Sequence, residues 1–171
     1  DSINGGPGDD TLSLTANLTA ASSIAGFTLS NVETAHVNVT DGDTTTAHAL
    51  TLNMLNAGVN NLKASGLSTS TASDGVTFIN VAAGSTLEMN NATNLDLNAT
   101  YASAATSGDA DSVSVTVNGV AATAATDSIL TIATGFETIN INATGAASTL
   151  GDIVTSTATT MNITGDQNLT V

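Results

Sequence analysis

The chain has 171 residues, no Cys, no Trp, one Tyr, and a single basic residue, Lys63, against 15 acids, for a formal charge of -14. Such a chain is repelled by phosphate backbones and anionic lipid, so nucleic-acid binding is excluded as a reading and a partner is expected to be cationic. Charged residues are only 9% and hydrophobic ones 41%, too apolar for an acidic disordered tail.

Thr, Ala, Asn, Ser and Gly make up 108 of the 171 residues, so a core must be built from short side chains. At about 25 cal/mol per Å² of apolar area, such a core is thin per residue, and repetition in which each layer buries the next is a natural way to make it suffice. No apolar run reaches the ~20 residues needed to span a bilayer, and no signal-peptide pattern is read in these residues. The chain opens on Asp1 and closes on Val171 within an extended pattern, which reads as a segment of a larger protein. Absence of Cys fits either an extracellular or a reducing compartment.

The first local signal along the chain is Gly5-Gly6-Pro7-Gly8-Asp9-Asp10-Thr11-Leu12-Ser13, which matches a Gly-Gly-x-Gly-x-Asp-x-apolar-x nonapeptide at every defined position. Asp1-Ser2-Ile3-Asn4 fits the last four positions of a preceding copy in the same phase. The chemistry explains the spacing. Glycines take tight backbone angles that turn carbonyl oxygens outward, and Asp adds a carboxylate, which together make a hard oxygen cage suited to Ca²⁺. On this reading Asp1 and Asp10 are ligands, Gly5, Gly6 and Gly8 give backbone oxygens, Asp9 is a further metal-site candidate, and Ile3 and Leu12 enter the interior. The glycine pattern stops after Ser13, so this chain is expected to hold an incomplete site.

Beyond it, alternation of apolar with Asn, Thr, Ser or Asp predicts short strands at 37–39, 50–52, 76–78, 87–89, 95–97, 113–117, 130–132, 139–141, 161–163 and 169–171. Turns are expected at Asp41-Gly42-Asp43, Ser73-Asp74-Gly75, Ala83-Gly84-Ser85, Ser107-Gly108-Asp109 and Thr164-Gly165-Asp166. Met54 to Gly58 has the composition of one short turn or helix, with Gly58 as its left-handed end. Strand spacing of roughly eight to about twenty residues fits either a β-sandwich or a β-solenoid. Two features favour the solenoid. Asn recurs at Asn38, Asn53, Asn80, Asn140, Asn142 and Asn162, as amide ladders on parallel rungs require. A phrase also recurs, Gly26-Phe27 to Val32-Glu33-Thr34-Ala35-His36-Val37-Asn38-Val39 and Gly135-Phe136-Glu137-Thr138-Ile139-Asn140-Ile141.

The nonapeptide, the Asn31-Val32-Glu33-Thr34 phrase and the Thr/Ala/Asn-rich run ending in Thr160-Met161-Asn162-Ile163-Thr164-Gly165-Asp166 together resemble the calcium-dependent surface-layer proteins of Gram-negative bacteria and related secreted repeats-in-toxin (RTX) surface proteins. That resemblance implies an all-β, right-handed parallel β-helix or β-solenoid with a calcium-binding β-roll turn near the N-terminus, residues 1–13 being the end of a repeat array and 14–171 an assembly domain. It further implies bound Ca²⁺, type I secretion to the cell surface, and self-association as a homo-oligomeric lattice or filament, with cell-surface polysaccharide held through another part of the chain.

Asp41 with Asp43, and Asp109 with Asp111, place carboxylates two residues apart and are further metal candidates. Catalysis is not expected: Glu33, Glu88 and Glu137 are scattered, sugar-stacking aromatics are nearly missing, and His36 and His48 are the only imidazoles. Seven Asn-x-Ser/Thr sequons follow from composition. Ice binding would need a flat Thr-x-Thr array, and Thr44-Thr45-Thr46 is too irregular for one. A segment of a large secreted adhesin is the alternative function.

Overall fold

A computed structural model describes residues 1–41, 45–55, 57–69, 73–124, 127–133 and 135–171, Asp41 as backbone only. Every pairing within it is parallel. Parallel neighbours cannot be joined by a tight hairpin, so the chain must travel around before it returns. It does so as a β-solenoid of about six turns.

In chain order the strands are β1 (Ser2–Asn4), β2 (Thr11–Leu18), β3 (Ser22–Ile24), β4 (Thr28–Ser30), β5 (Thr34–Asp41), β6 (Ala49–Asn53), β7 (Asn61–Leu67), β8 (Asp74–Val81) and β9 (Thr86–Thr93). There follow β10 (Leu95–Tyr101), β11 (Ser112–Asn118), β12 (Ile129–Ile132), β13 (Thr138–Ala143), β14 (Ser148–Thr149), β15 (Asp152–Val154), β16 (Thr160–Gly165) and β17 (Leu169–Thr170). One long side of the solenoid is the seven-stranded sheet β2-β5-β7-β9-β11-β13-β16, and the other is the six-stranded sheet β3-β6-β8-β10-β12-β15. Short pairings, β1 with β4 and β14 with β17, lie outside these two sheets.

The rung length is what the sequence concealed. Thr138 pairs with Thr160, an advance of 22 residues, whereas Leu87 pairs with Val115, an advance of 28. Outward loops absorb the difference while the inward columns stay aligned. One column runs Leu12, Ala35, Leu62, Leu87, Val115, Ile141, Ile163, and its five central members are buried. A second, in the other sheet, runs Ile24, Leu52, Phe78, Ala99, Ile132. Each rung therefore covers its neighbour's apolar side chains, which is how short side chains reach full burial. Tyr101 and Phe136 add one T-shaped contact, ring centres 4.8 Å apart, and the Tyr101 hydroxyl donates to the Ser85 carbonyl oxygen at 2.8 Å.

All ten expected strands fall on strands, the last of them, β17, ending one residue short at Thr170. The Asn ladder is present as well: Asn162 Nδ2 donates to Asn140 Oδ1, and Asn80 Nδ2 to Asn53 Oδ1, each at 2.9 Å. Asn serves a second purpose at left-handed positions, Asn31 and Asn94 between strands and Asn80 and Asn91 near the ends of β8 and β9, which hold φ between 48° and 56°. Asn tolerates this left-handed region because its short side chain bonds locally.

Two local expectations differ. Ser73-Asp74-Gly75 is not a free turn, since β8 begins at Asp74, which is fully buried. Its Oδ1 accepts the His48 N–H at 2.7 Å and its own N–H donates to Ser68 Oγ at 3.2 Å, so a charged residue can start an interior strand. Around Met54 there is a single turn, closed by the Ala57 N–H on the Met54 carbonyl, and Gly58 does not take positive φ. Among the described residues the only helical element is a 3-10 turn at Ser103–Ala105, and no helix is long and apolar enough to cross a membrane.

Candidate functional site

The Gly-rich segment forms the corner between β1 and β2. Gly6 and Gly8 take φ of 95° and 135°, conformations that L side chains rarely adopt. A Cβ on Gly5 would lie 2.0 Å from the Asn31 carbonyl oxygen and 2.6 Å from Asp10 Cβ, so only glycine fits. The turn is pinned by the Gly5 N–H on Ser30 O and by the Gly6 N–H on Asn4 Oδ1, both 3.0 Å, and Asn31 Nδ2 also donates to Asn4 Oδ1.

This corner delivers Asp10 to the base of β2. Its N–H donates to Glu33 Oε2 at 2.8 Å, and its carbonyl accepts the N–H groups of Glu33 and Thr34 at 3.0 and 3.1 Å. Asp10 Oδ2 is shielded from water with no hydrogen-bond partner. Leaving a carboxylate oxygen buried and unpaired costs more than leaving a neutral group so. Asp1 and Asp9, by contrast, are exposed, and the Asp1 carbonyl accepts the Thr28 N–H.

The same arrangement recurs four strands along the seven-stranded sheet. Asp111 donates its N–H to Glu137 Oε2 at 2.9 Å, and its carbonyl accepts the N–H groups of Glu137 and Thr138, both at 3.1 Å. There the carboxylate is partnered, Oδ2 accepting the Gly108 N–H at 2.7 Å, while Asp109 points to solvent. The repeated Glu-Thr phrase is thus a corner clamp in which each Glu joins its own rung to the Asp of the rung before. Glu33 and Glu137 thus sit at equivalent corners of different rungs, four strands apart in the seven-stranded sheet.

Of the remaining candidates, Asp41 closes β5 in register with Leu18, and Asp43 lies outside the described residues. Among the described residues no three side chains of Asp, Glu, His or Cys gather as a metal-holding group. As a test of fit to Ca²⁺, the donors at the first corner are hard oxygens of the right kind, and the partnerless Asp10 Oδ2 is the group an ion would satisfy. Asp10 and Glu33 supply two carboxylates, short of the six to eight oxygens that Ca²⁺ takes, so these residues fit as part of a shared site.

Two polar clusters escaped the sequence. On the outer face of the seven-stranded sheet, Lys63 Nζ meets Glu88 Oε1 at 2.9 Å, with Asn90 and Asn61 also donating to the Glu88 carboxylate at 2.8 and 3.1 Å. Burial alone would raise the Glu88 pKa, and these donors outweigh it to leave a net lowering. His36 Nε2 lies 2.6 Å from Ser65 Oγ, and its pKa is lowered by burial and by Lys63, against the pull of Glu88. The Ser65 hydroxyl donates to Asn38 Oδ1 at 3.0 Å and Ser65 is buried, so His36, Ser65 and Asn38 form a chain of contacts across β5 and β7.

The second cluster lies where β8, β10 and β12 of the six-stranded sheet begin. Asp96 Oδ1 accepts the Ile129 N–H at 2.8 Å, and Asp127 accepts the hydroxyls of Ser73 and Thr123, both at 2.9 Å. Burial pushes Asp96 up to about 6, the Ile129 hydrogen bond opposes this, and the Asp127 charge adds to it. An acid whose folded pKa exceeds its unfolded value of 3.8 penalises the fold at neutral pH, and the penalty fades as pH falls through 6 toward 4. Asp96→Asn keeps an acceptor for Ile129. It is expected to stabilise the chain at pH 7.5 by about 1–2 kcal/mol, after discounting for partial exposure, and by nothing measurable near pH 4. Thermal melts of both proteins from pH 4 to 8 check this, and a constant difference would contradict it.

Comparison with known proteins finds no matching family model, no matching curated protein and no matching solved structure.

Proposed function

We propose that the chain is a structural, self-assembling protein of the bacterial surface-layer type, secreted to the outside of a Gram-negative cell, whose folding and lattice formation depend on Ca²⁺. The observation that carries this reading is the first corner, where Gly5, Gly6 and Gly8 hold a turn that sets Asp10 Oδ2 in a buried position without a partner. A bound divalent ion would supply the positive charge that a chain with one basic residue lacks, and would let acidic rungs and acidic surfaces approach one another. Asp10 and Glu33, with the carbonyl groups of the glycine turn, are the residues of this chain that would hold it. The outer face of the seven-stranded sheet, small and mostly uncharged, suits contact between copies better than chemistry. On this reading a polysaccharide anchor lies in another part of the parent protein.

The test is a chelator titration. Millimolar Ca²⁺ is expected to raise the thermal midpoint and drive the chain into large particles, and excess chelator to reverse both. Melting and particle size unchanged by chelator would end the calcium reading. Stabilisation by Ca²⁺ of a chain that stays monomeric would favour the adhesin segment instead.

A further inference from the structure

The chain carries a single Lys or Arg, and that side chain does not range free over the surface. Lys63 of β7 stands in register with Glu88 of β9, and only 24% and 18% of the two side chains are exposed. Lys63 Nζ lies 2.9 Å from Glu88 Oε1, and Asn90 Nδ2 donates to that same oxygen at 2.8 Å. One carboxylate oxygen therefore bridges a primary amine and the nitrogen of a carboxamide. The other end of the carboxamide is held as well, Asn90 Oδ1 accepting from Asn91 Nδ2 at 2.7 Å. A bulge accompanies this arrangement. Between Ala64 and Gly66 β7 has one residue, Ser65, where β9 has two, Asn90 and Asn91, and Asn91 takes a φ of 48°. Bulges re-aim side chains, and this one falls where the ladder between the two rungs is interrupted.

We propose that Lys63 and Asn90 join in an intramolecular amide bond, formed by the folded chain itself, that straps β7 to β9. Lys63 Nζ is the nucleophile, Asn90 Cγ the electrophile, Asn90 Nδ2 the leaving nitrogen, and Glu88 the base and acid that carries protons from one nitrogen to the other. Asn91 Nδ2 donates to Asn90 Oδ1, where negative charge develops as Cγ becomes tetrahedral. Glu88 takes a proton from the Lys63 ammonium, the freed lone pair attacks Cγ, and the Nζ–Cγ bond forms. Two protons pass in turn from Nζ through Glu88 to the leaving nitrogen, the Cγ–Nδ2 bond breaks, and ammonium departs. One ammonium side chain and one carboxamide thus become one secondary amide and one ammonium ion, with Glu88 again a carboxylate. No oxidant, metal or external substrate enters. The step occurs once per molecule, and fixed juxtaposition supplies the effective concentration that a slow aminolysis needs. Asn61 also donates to Glu88, but to Oε2 at 3.1 Å and from the same strand as Lys63, so an amide with it would strap no rungs together.

Because no other Lys or Arg is present, trypsin can cut the chain only after Lys63. The purified chain, denatured, is expected to weigh about 17 Da less than its sequence mass, the loss of one ammonia, and to resist trypsin instead of giving fragments 1–63 and 64–171. Glu88→Ala and Asn90→Ala are each expected to restore full mass and tryptic cleavage, and Asn61→Ala to keep the lighter, resistant form. Full mass with cleavage at Lys63 in the parent chain would overturn the proposal, whatever the variants do. A loss of about 17 Da in a chain that trypsin still cuts would overturn it too, being the mark of a succinimide at Asn4-Gly5 or Asn118-Gly119. So would a loss of about 18 Da, the water expelled by an amide between Lys63 and Glu88 themselves.

Discussion

Phe78→Ala is expected to destabilise the chain by about 3–5 kcal/mol, the usual cost of truncating a buried phenylalanine. Phe78 is fully buried in β8 and stacks between Leu52 of β6 and Ala99 of β10. The methyl of Ala99 cannot grow into the space vacated, and parallel rungs about 4.8 Å apart cannot close over it without breaking their ladder, so most of the cavity persists. For a chain of this length the loss corresponds to a fall of roughly 10 °C in Tm. Phe27→Ala, at the half-buried first rung, serves as the comparison and should cost less than half as much. Thermal or urea denaturation of the two variants decides, and equal losses would show that interior rungs are no better packed than the end.

Gly66→Ala is the second large effect, and its cause lies in the backbone. Gly66 sits at the irregularity in the β7–β9 register with φ of 119°, and a Cβ there would fall 2.0 Å from the Val39 carbonyl oxygen and 2.7 Å from the Val39 nitrogen. Neither is a side-chain tip that can swing away. The strand must shift or the pairing with β5 must open, at about 3 kcal/mol or more, the backbone conformation itself supplying about 1–3 of that. Gly84→Ala separates the two contributions. Its φ is 80° with nothing nearby to clash, so it should lose only the conformational part, about 1 kcal/mol. Similar losses at the two positions, by chemical denaturation, would contradict the steric argument.

Strands were legible where β-branched or leucine residues alternate, as in Val113 to Val117, although β2, where Leu12 and Leu14 alternate with Thr and Ser, was read only as the end of the glycine repeat. β7 escaped because Lys63, Ala64 and Gly66 dilute the alternation, although Leu62 and Ala64 fill core positions as fully as any valine. The order of rungs was legible only in outline. Parallel pairing has no turn signature, and loops that vary the advance from 21 residues (Val76 to Leu97) to 33 (Leu97 to Leu130) blur any fixed period.

At the candidate site the glycine turn could be read residue by residue, because each glycine answers a local backbone demand. The bond from Asp10 to Glu33 could not, since it spans 23 positions and depends on how rungs stack. Its only trace in the sequence is the Glu that recurs before Thr34 and Thr138. Asp96 was invisible for another reason: Leu95-Asp96-Leu97 alternates like any strand with a solvated acid, and it is the Ile129 backbone and Asp127 of the following rung that enclose it.

The one-way order of the two long sheets has a mechanical consequence. A load that pulls the first and last rungs apart along the axis opens one ladder at a time, with nearest-neighbour bonds failing in sequence, as in a zipper. A load across the axis, along the strands, must shear every bond of a ladder together. The solenoid is therefore stiff and strong along its strands and compliant along its axis.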